Sequence, residues 1–348
     1  MEKQLLTHSR KHSFQVCRRR SWWEYEQGIR RVTDSRALRM GSAYHAGLHT
    51  LKQGCDLDLA IDTARAYYGE APPQVEEYTW KIEQETIAAL LSGYEWRWAD
   101  REIEFIESEQ PFYLPLINPE TNAASRNFML AGKIDGIAKI DGRLVVLEHK
   151  LYSEDLNENS DFWRRLQLDH QLTIYLYAAR HLGYDVSAVF FDVTRKPTIR
   201  PERVPLQDKD GIKIVLDADG QRVMTKDGKK PRQTPDKAKG WILQTRPMTP
   251  EEWSRKLIND IGLRPAFYYA CREIPRLDDD INECMSELWE VQKTLREAQR
   301  QDRWYRTVSR DTCPFCPYFA LCSSHINVID ELPEEFQILD NIHPELEQ

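Results

Sequence analysis

No apolar run in this 348-residue chain approaches the ~20 residues that cross a bilayer, and its polar, charged start lacks the apolar core of a secretory signal. A cytoplasmic protein with no membrane partner is the expectation. Neither a Gly-x4-Gly-Lys-Ser/Thr phosphate loop nor a Gly-x-Gly-x-x-Gly turn occurs, which argues against a built-in ATP motor or dinucleotide site. There is no internal repeat. A formal net charge of −8 removes any global basic signature, so binding to a polyanion would have to rest on local patches. Cysteine is scarce and odd in number, with seven residues, which without an export signal suggests metal or cluster ligation before disulfides.

Local basic patches do exist. Residues 1–39 carry ten Lys/Arg against four acids, and residues 195–239 carry thirteen against seven. With 41% hydrophobic residues, the chain can bury a large core. The expected organisation is one folded unit over 1–327, made of a helical part (1–100), a core (101–195), a basic β insert (201–240) and C-terminal helices (241–327). Residues 328–348 hold seven acids and no Lys or Arg, a composition usual for a solvated or disordered tail.

Periodicity predicts helices over 13–31, 42–51, 58–69, 76–98, 162–182 and 278–301, with a capping box at Thr249-Pro-Glu-Glu252 starting another. Strands are expected at 102–107, 111–116, 127–140, 143–150 and 187–193. The helix after 162 and the strand at 187 then form a crossover on a sheet face. Within 201–240, the turns Asp210-Gly211, Asp219-Gly220 and Asp227-Gly228 space short strand-like pieces.

The most informative stretch is the hairpin around Asp141-Gly142. Asp-Gly between two apolar runs signals a two-residue type I′ turn, which pairs Ile140 with Arg143. Counting outward places Asp135 opposite Glu148, with Lys150 on the same face. Opposed Cβ atoms lie roughly 4.5–5.5 Å apart, where like charges repel unless a cation sits between them. Ile137, Val146 and Leu144 share the face of the acids, while Ile134, Ala138, Val145 and Leu147 line the other. Both faces therefore read as buried, and a buried carboxylate needs a partner charge or a metal. Such a pair with a hard divalent cation, Mg²⁺ or Mn²⁺, suits phosphodiester hydrolysis, and Lys150 is placed to orient water or stabilise charge on phosphate.

Gly-x-x-Asp135 followed by Glu148-x-Lys150 at the end of an apolar strand resembles the PD-(D/E)XK nucleases. Gln171 and Tyr175 share one helix face at i,i+4, and this Gln-x-x-x-Tyr element resembles the RecB-like branch, in which it helps position substrate. Gln167 is a weaker candidate for that role. Gly41-Ser-Ala-Tyr-His45 resembles the branch's Gly-x-x-x-His element, whose His is a further metal ligand. The resemblance implies an α/β, restriction-endonuclease-like fold with a mixed central sheet flanked by helices and helical additions. Residue 149 is His where such families vary, and no role is assigned to it; nor is one assigned to His49.

Cys313-Pro-Phe-Cys316-Pro-Tyr-Phe-Ala-Leu-Cys322 offers three thiolates that need a fourth ligand. Cys17 matches the position supplying it in the AddB and CRISPR-associated RecB-like groups, where a [4Fe-4S] cluster clamps the chain ends. Spacing alone fits a zinc ion as well; the resemblance favours iron. Cys55, Cys271 and Cys284 fit no motif. Arg18 to Tyr25 is rich in arginine and aromatics, a composition that suits stacking bases or, equally, core packing.

The function implied is a metal-dependent DNA nuclease, foremost an exonuclease processing ends in recombination, repair or phage-like replication, with a helicase or recombinase as partner for any processive action. The alternatives are an endonuclease or flap nuclease, and a non-catalytic subunit that binds DNA ends.

Overall fold

A computed structural model describes residues 3–324 and 331–347. The strands are β1 (Gln4–Leu6), β2 (Ile29–Arg31), β3 (Ile103–Ile117), β4 (Ala124–Ile140), β5 (Arg143–Tyr152), β6 (Ala188–Arg195), β7 (Arg203–Pro205), β8 (Val215–Leu216), β9 (Ile242–Leu243), β10 (Thr245–Pro247), β11 (Tyr269–Pro275) and β12 (Phe336–Ile338). The helices are α1 (His8–Val16), α2 (Arg18–Ser21), α3 (Arg36–Lys52), α4 (Leu57–Tyr68), α5 (Glu77–Trp98), α6 (Asp161–Leu166), α7 (His170–His181), α8 (Pro250–Leu263), α9 (Pro265–Tyr268), α10 (Asp278–Gln301) and α11 (Phe319–Ser323).

The turn at residues 141–142 takes the form its residues demand. Asp141 and Gly142 have φ of +50° and +80°, the left-handed pair of a type I′ turn, and Ile140 pairs with Arg143. The antiparallel ladder then runs outward through Gly136 and Leu147 in the expected register. It ends one step short of the acids. β3 lies antiparallel along one edge of β4, so the other edge is shared by β5, at residues 136–140, and by β1, parallel at Phe128–Leu130. Residues 131–135 fall between these two neighbours. Asp135 is therefore not a ladder partner of Glu148; its carboxylate reaches across to the next residue and accepts a hydrogen bond from the His149 N–H at 3.0 Å.

The side-chain alternation changes at the same place. Ile134 packs in the same cluster as Ile137, whereas strict alternation would place it on the opposite face. The parallel pairing of β5 with β6, joined through α6 and α7, gives the expected crossover, and β11 closes the sheet antiparallel to β6. The architecture is mixed α/β with a central sheet between helices. α1, α7 and α10 bury one face around Leu130, Val146, Val189 and Phe191. On the other face, α3, α5 and α8 pack through Tyr44, Leu90, Trp253 and Tyr269, with a smaller cluster around Ala138, Val145 and Leu147.

Several elements differ from the sequence reading. The stretch 13–31 is not one helix: Cys17 is extended (φ −162°, ψ 116°), separating α1 from α2, and Ile29–Arg31 is a strand. The helix expected over 162–182 breaks at 167–169, because Asp169 caps α7 by accepting from the N–H groups of Gln171 and Leu172. Gln167 is exposed at the end of α6, off the α7 stripe. Residues 331–347 are docked rather than solvated: β12 pairs with β2, and Phe336 is buried against Tyr318. The expected boundary at 327–328 lies outside the described residues. In the insert, Gly211, Gly220 and Gly228 take positive φ at the three expected turns. Among the described residues, no helix is long and apolar enough to cross a membrane.

Candidate active site and cysteine cluster

The unpaired stretch of β4 opens a groove of about 940 Å³, whose lining includes His45, Asp135, Lys150, Gln171 and Tyr175. Each reaches it from a different constraint. The middle of β5, Val145 to His149, is buried, so Glu148 ends up 0% exposed on the α7 side. Lys150, two residues on, is on the same side, with Nζ 2.5 Å from Glu148 Oε1. The Lys150 ammonium is thus the charged, hydrogen-bonding partner of the buried Glu148 carboxyl. Burial, then the negative charge of Asp135, push the Glu148 carboxyl up to about 8 in spite of Lys150. Burial would lower the Lys150 ammonium, but Glu148 and Asp135 outweigh it and hold it well above its usual range. Both shifts express one demand: a carboxylate at 148 needs positive charge close by.

Asp135 meets that demand from the other side. Burial would raise its carboxyl, but His45, Lys150 and Lys52, together with the His149 N–H, hold it below the usual carboxylate range. Nε2 of His45, on α3, lies 3.5 Å from Asp135 Oδ2 and 2.7 Å from the His149 carbonyl oxygen. On the opposite wall, Gln171 Nε2 donates to the Tyr175 hydroxyl at 2.9 Å, so the two α7 residues act as one polar unit. Burial, with Glu148 and Asp135 nearby, keeps the Tyr175 phenol protonated.

Three contributors carried no sequence signal that the motifs used. His149 is buried; its Nδ1 lies 3.1 Å from Asp192 Oδ2, which also accepts from Tyr94 at 2.5 Å. This network fixes the backbone that holds Asp135. Lys52, one turn past His49 on α3, brings a second ammonium to the acids; burial lowers it, opposed by Asp135, Asp192, Glu109 and Glu148. Glu109, on β3, joins His45 and Asp135 in a group whose ligand atoms all lie within 4.8 Å of one another. Glu148 is not part of that tight group. Two carboxylates and an imidazole, with the buried Glu148 beside Lys150, form a donor set that fits a hard divalent cation.

The fold also draws Cys17 to the distant cysteines. Thr307 N–H donates to Cys17 Sγ (3.4 Å) and Ser309 N–H to Cys313 Sγ (3.3 Å), while Cys313 approaches the Thr307 carbonyl at 3.9 Å. Burial raises the thiols of Cys316 and Cys322, and Cys17 is near enough to add to both shifts. Four soft donors with N–H···S support fit a thiolate-bound centre.

The Arg18–Tyr25 segment serves packing. Trp23 is buried against Tyr318, Arg19 lies over Trp22 and Trp23, and Arg20 pairs with Glu24. Cys284 is buried in the main core, and Cys271 takes a bond from Arg101.

No curated protein matches the chain in comparison. The family model of the PD-(D/E)XK nuclease superfamily matches residues 5–323, a span that takes in nearly all of the central sheet, the groove residues His45, Asp135, Lys150, Gln171 and Tyr175, and the cysteine-rich loop. With this match over most of its length, the chain belongs to the PD-(D/E)XK nuclease superfamily, whose members hydrolyse phosphodiesters.

Proposed function

We propose that the protein is a RecB-like DNA nuclease, foremost an exonuclease acting on DNA ends, with Asp135, Glu148 and His45 as ligands of Mg²⁺ or Mn²⁺. The observation carrying this reading is the buried Glu148 carboxylate, beside Lys150 and near Asp135, at the edge of an open groove. A bound cation there would polarise the scissile phosphoryl group and make water more acidic. Lys150, its ammonium kept charged by the acids, orients the attacking water or stabilises charge on the phosphate. Gln171 and Tyr175 hold the strand from α7. His45 Nε2, in its present contact, donates to the His149 carbonyl, so ligation through that nitrogen requires giving up this bond. Glu148 must shed its proton to ligate, so metal binding strengthens as the pH rises toward about 8.

Cys17, Cys313, Cys316 and Cys322 are proposed as ligands of a [4Fe-4S] cluster. The resemblance to iron-sulfur nucleases supports iron over zinc. Its role is structural: it ties the start of α2 to the loop before α11, closing nearly the whole chain into one loop. A helicase or recombinase partner would supply processivity. An endonuclease or flap-cleaving reading would be favoured if DNA with both ends blocked were cut.

Two outcomes test these assignments. End-labelled single- and double-stranded DNA incubated with Mn²⁺ is degraded from free ends by the wild type, while Glu148→Gln and Lys150→Ala each lose at least about a hundredfold in rate with folding intact; variants as active as wild type would remove the site. Anaerobically purified protein contains iron and sulfide with a visible charge-transfer band, and Cys17→Ser loses both; one equivalent of zinc without iron would overturn the cluster.

A further inference from the structure

We propose that Glu109 supplies a further oxygen ligand to the metal site, an inference that rests on the nuclease reading above. The register of β3 on β4 pairs Ser108 with Gly136 and Gln110 with Ile134, leaving Glu109 across from Asp135 with neither in the ladder. Mid-strand, Glu109 adopts φ +54°, a left-handed conformation that a glutamate rarely takes. Its carboxylate lies within 4.8 Å of the ligand atoms of His45 and Asp135 and pairs with Lys133. The fully buried Glu148, whose charge is met by the Lys150 ammonium, adds a further acid that a cation would serve. Lys133 and Lys52 serve as counter-charges that Glu109 exchanges for the ion. Mn²⁺ titration of the full chain, read by electron paramagnetic resonance, tests this. Glu109→Gln weakens Mn²⁺ binding about tenfold or more, and Glu109→Asp, which keeps the charge and the Lys133 pairing, falls between it and wild type. Wild-type affinity in both, with Asp135→Asn impaired, overturns the role of Glu109 alone. Unchanged affinity in Asp135→Asn as well overturns the metal reading itself.

A separate observation concerns the segment 331–347. β12 anchors it on β2, Leu339 N–H donates to the Gly28 carbonyl, and the buried His343 ring packs on Tyr25 at 5.4 Å. From that anchor the chain enters the groove. Glu345 Oε1 accepts from Thr7 Oγ1 at 2.6 Å and lies 3.1 Å from His343 Nδ1, and Glu345, Leu346 and Glu347 line the same cavity as Asp135 and Lys150. We infer that residues 343–347 are an acidic strap whose carboxylates stand where backbone phosphates of a nucleic-acid strand pass, and that substrate displaces it. This too rests on the nuclease reading. Fluorescence anisotropy of a single-stranded oligonucleotide with Ca²⁺ in place of Mg²⁺ tests it on the full chain. Glu345→Ala/Glu347→Ala, which keeps Phe336 and His343 in place, binds about fivefold tighter. Glu334→Ala/Glu335→Ala, which removes the same charge from the same segment outside the groove lining, leaves affinity unchanged. Equal tightening in both pairs, or none in the first, overturns the strap. No binding by any of the three proteins overturns the nucleic-acid reading.

Discussion

Two carboxylates that the fold buries beside each other set the terms for the rest of the molecule. Asp135 and Glu148 sit where β4 parts from β5; Glu148 is fully buried, and Asp135 reaches solvent only through the groove. Burying an uncompensated charge costs on the order of several kcal/mol even after relaxation. The protein answers with the ammoniums of Lys150 from β5 and Lys52 from α3, and with polar contacts from the His45 ring and the His149 N–H. A divalent ion would meet the same need with more charge in less space, so the arrangement that costs stability is also one suited to a cation.

The groove has a topological origin. β3 occupies one edge of β4 throughout, and β1 and β5 share the other without meeting. The gap exposes backbone that would otherwise be sealed in a ladder, and α7 forms its wall with Gln171 and Tyr175 facing the acids. The same end of the molecule holds α1, whose cap residue Thr7 also touches Glu345, and the cysteine-rich loop, on which Phe336 rests through Tyr318. The cysteine-rich loop, the 331–347 segment and the groove are thus linked by contacts through Tyr318, Phe336 and Glu345.

Local chemistry made much of this readable from residues alone. Asp141-Gly142 determined the hairpin register, because only left-handed residues close a two-residue turn, and the alternating apolar positions announced burial on both faces. The capping box at Thr249 and the amphipathic pattern of α10 gave their helices directly. What stayed hidden depends on distant partners. Three residues of β1 are too short to signal a strand, yet their pairing with β4 ends the hairpin ladder before Asp135 and moves Ile134 to the other core. Asp169 was a readable cap, overlooked because the apolar period ran on through it. Glu109 carries no local sign of its conformation, and His149 gains its place only through Asp192 and Tyr94, residues from two other elements.

The most direct measurement is a crystal structure of the full chain soaked in Mn²⁺, with anomalous scattering recorded at the manganese edge. The account predicts a peak in the notch between β4 and β5 with oxygens of both Asp135 and Glu148 in the coordination shell. A peak bound elsewhere, or a notch still filled only by the Lys150 ammonium at saturating Mn²⁺, would contradict it.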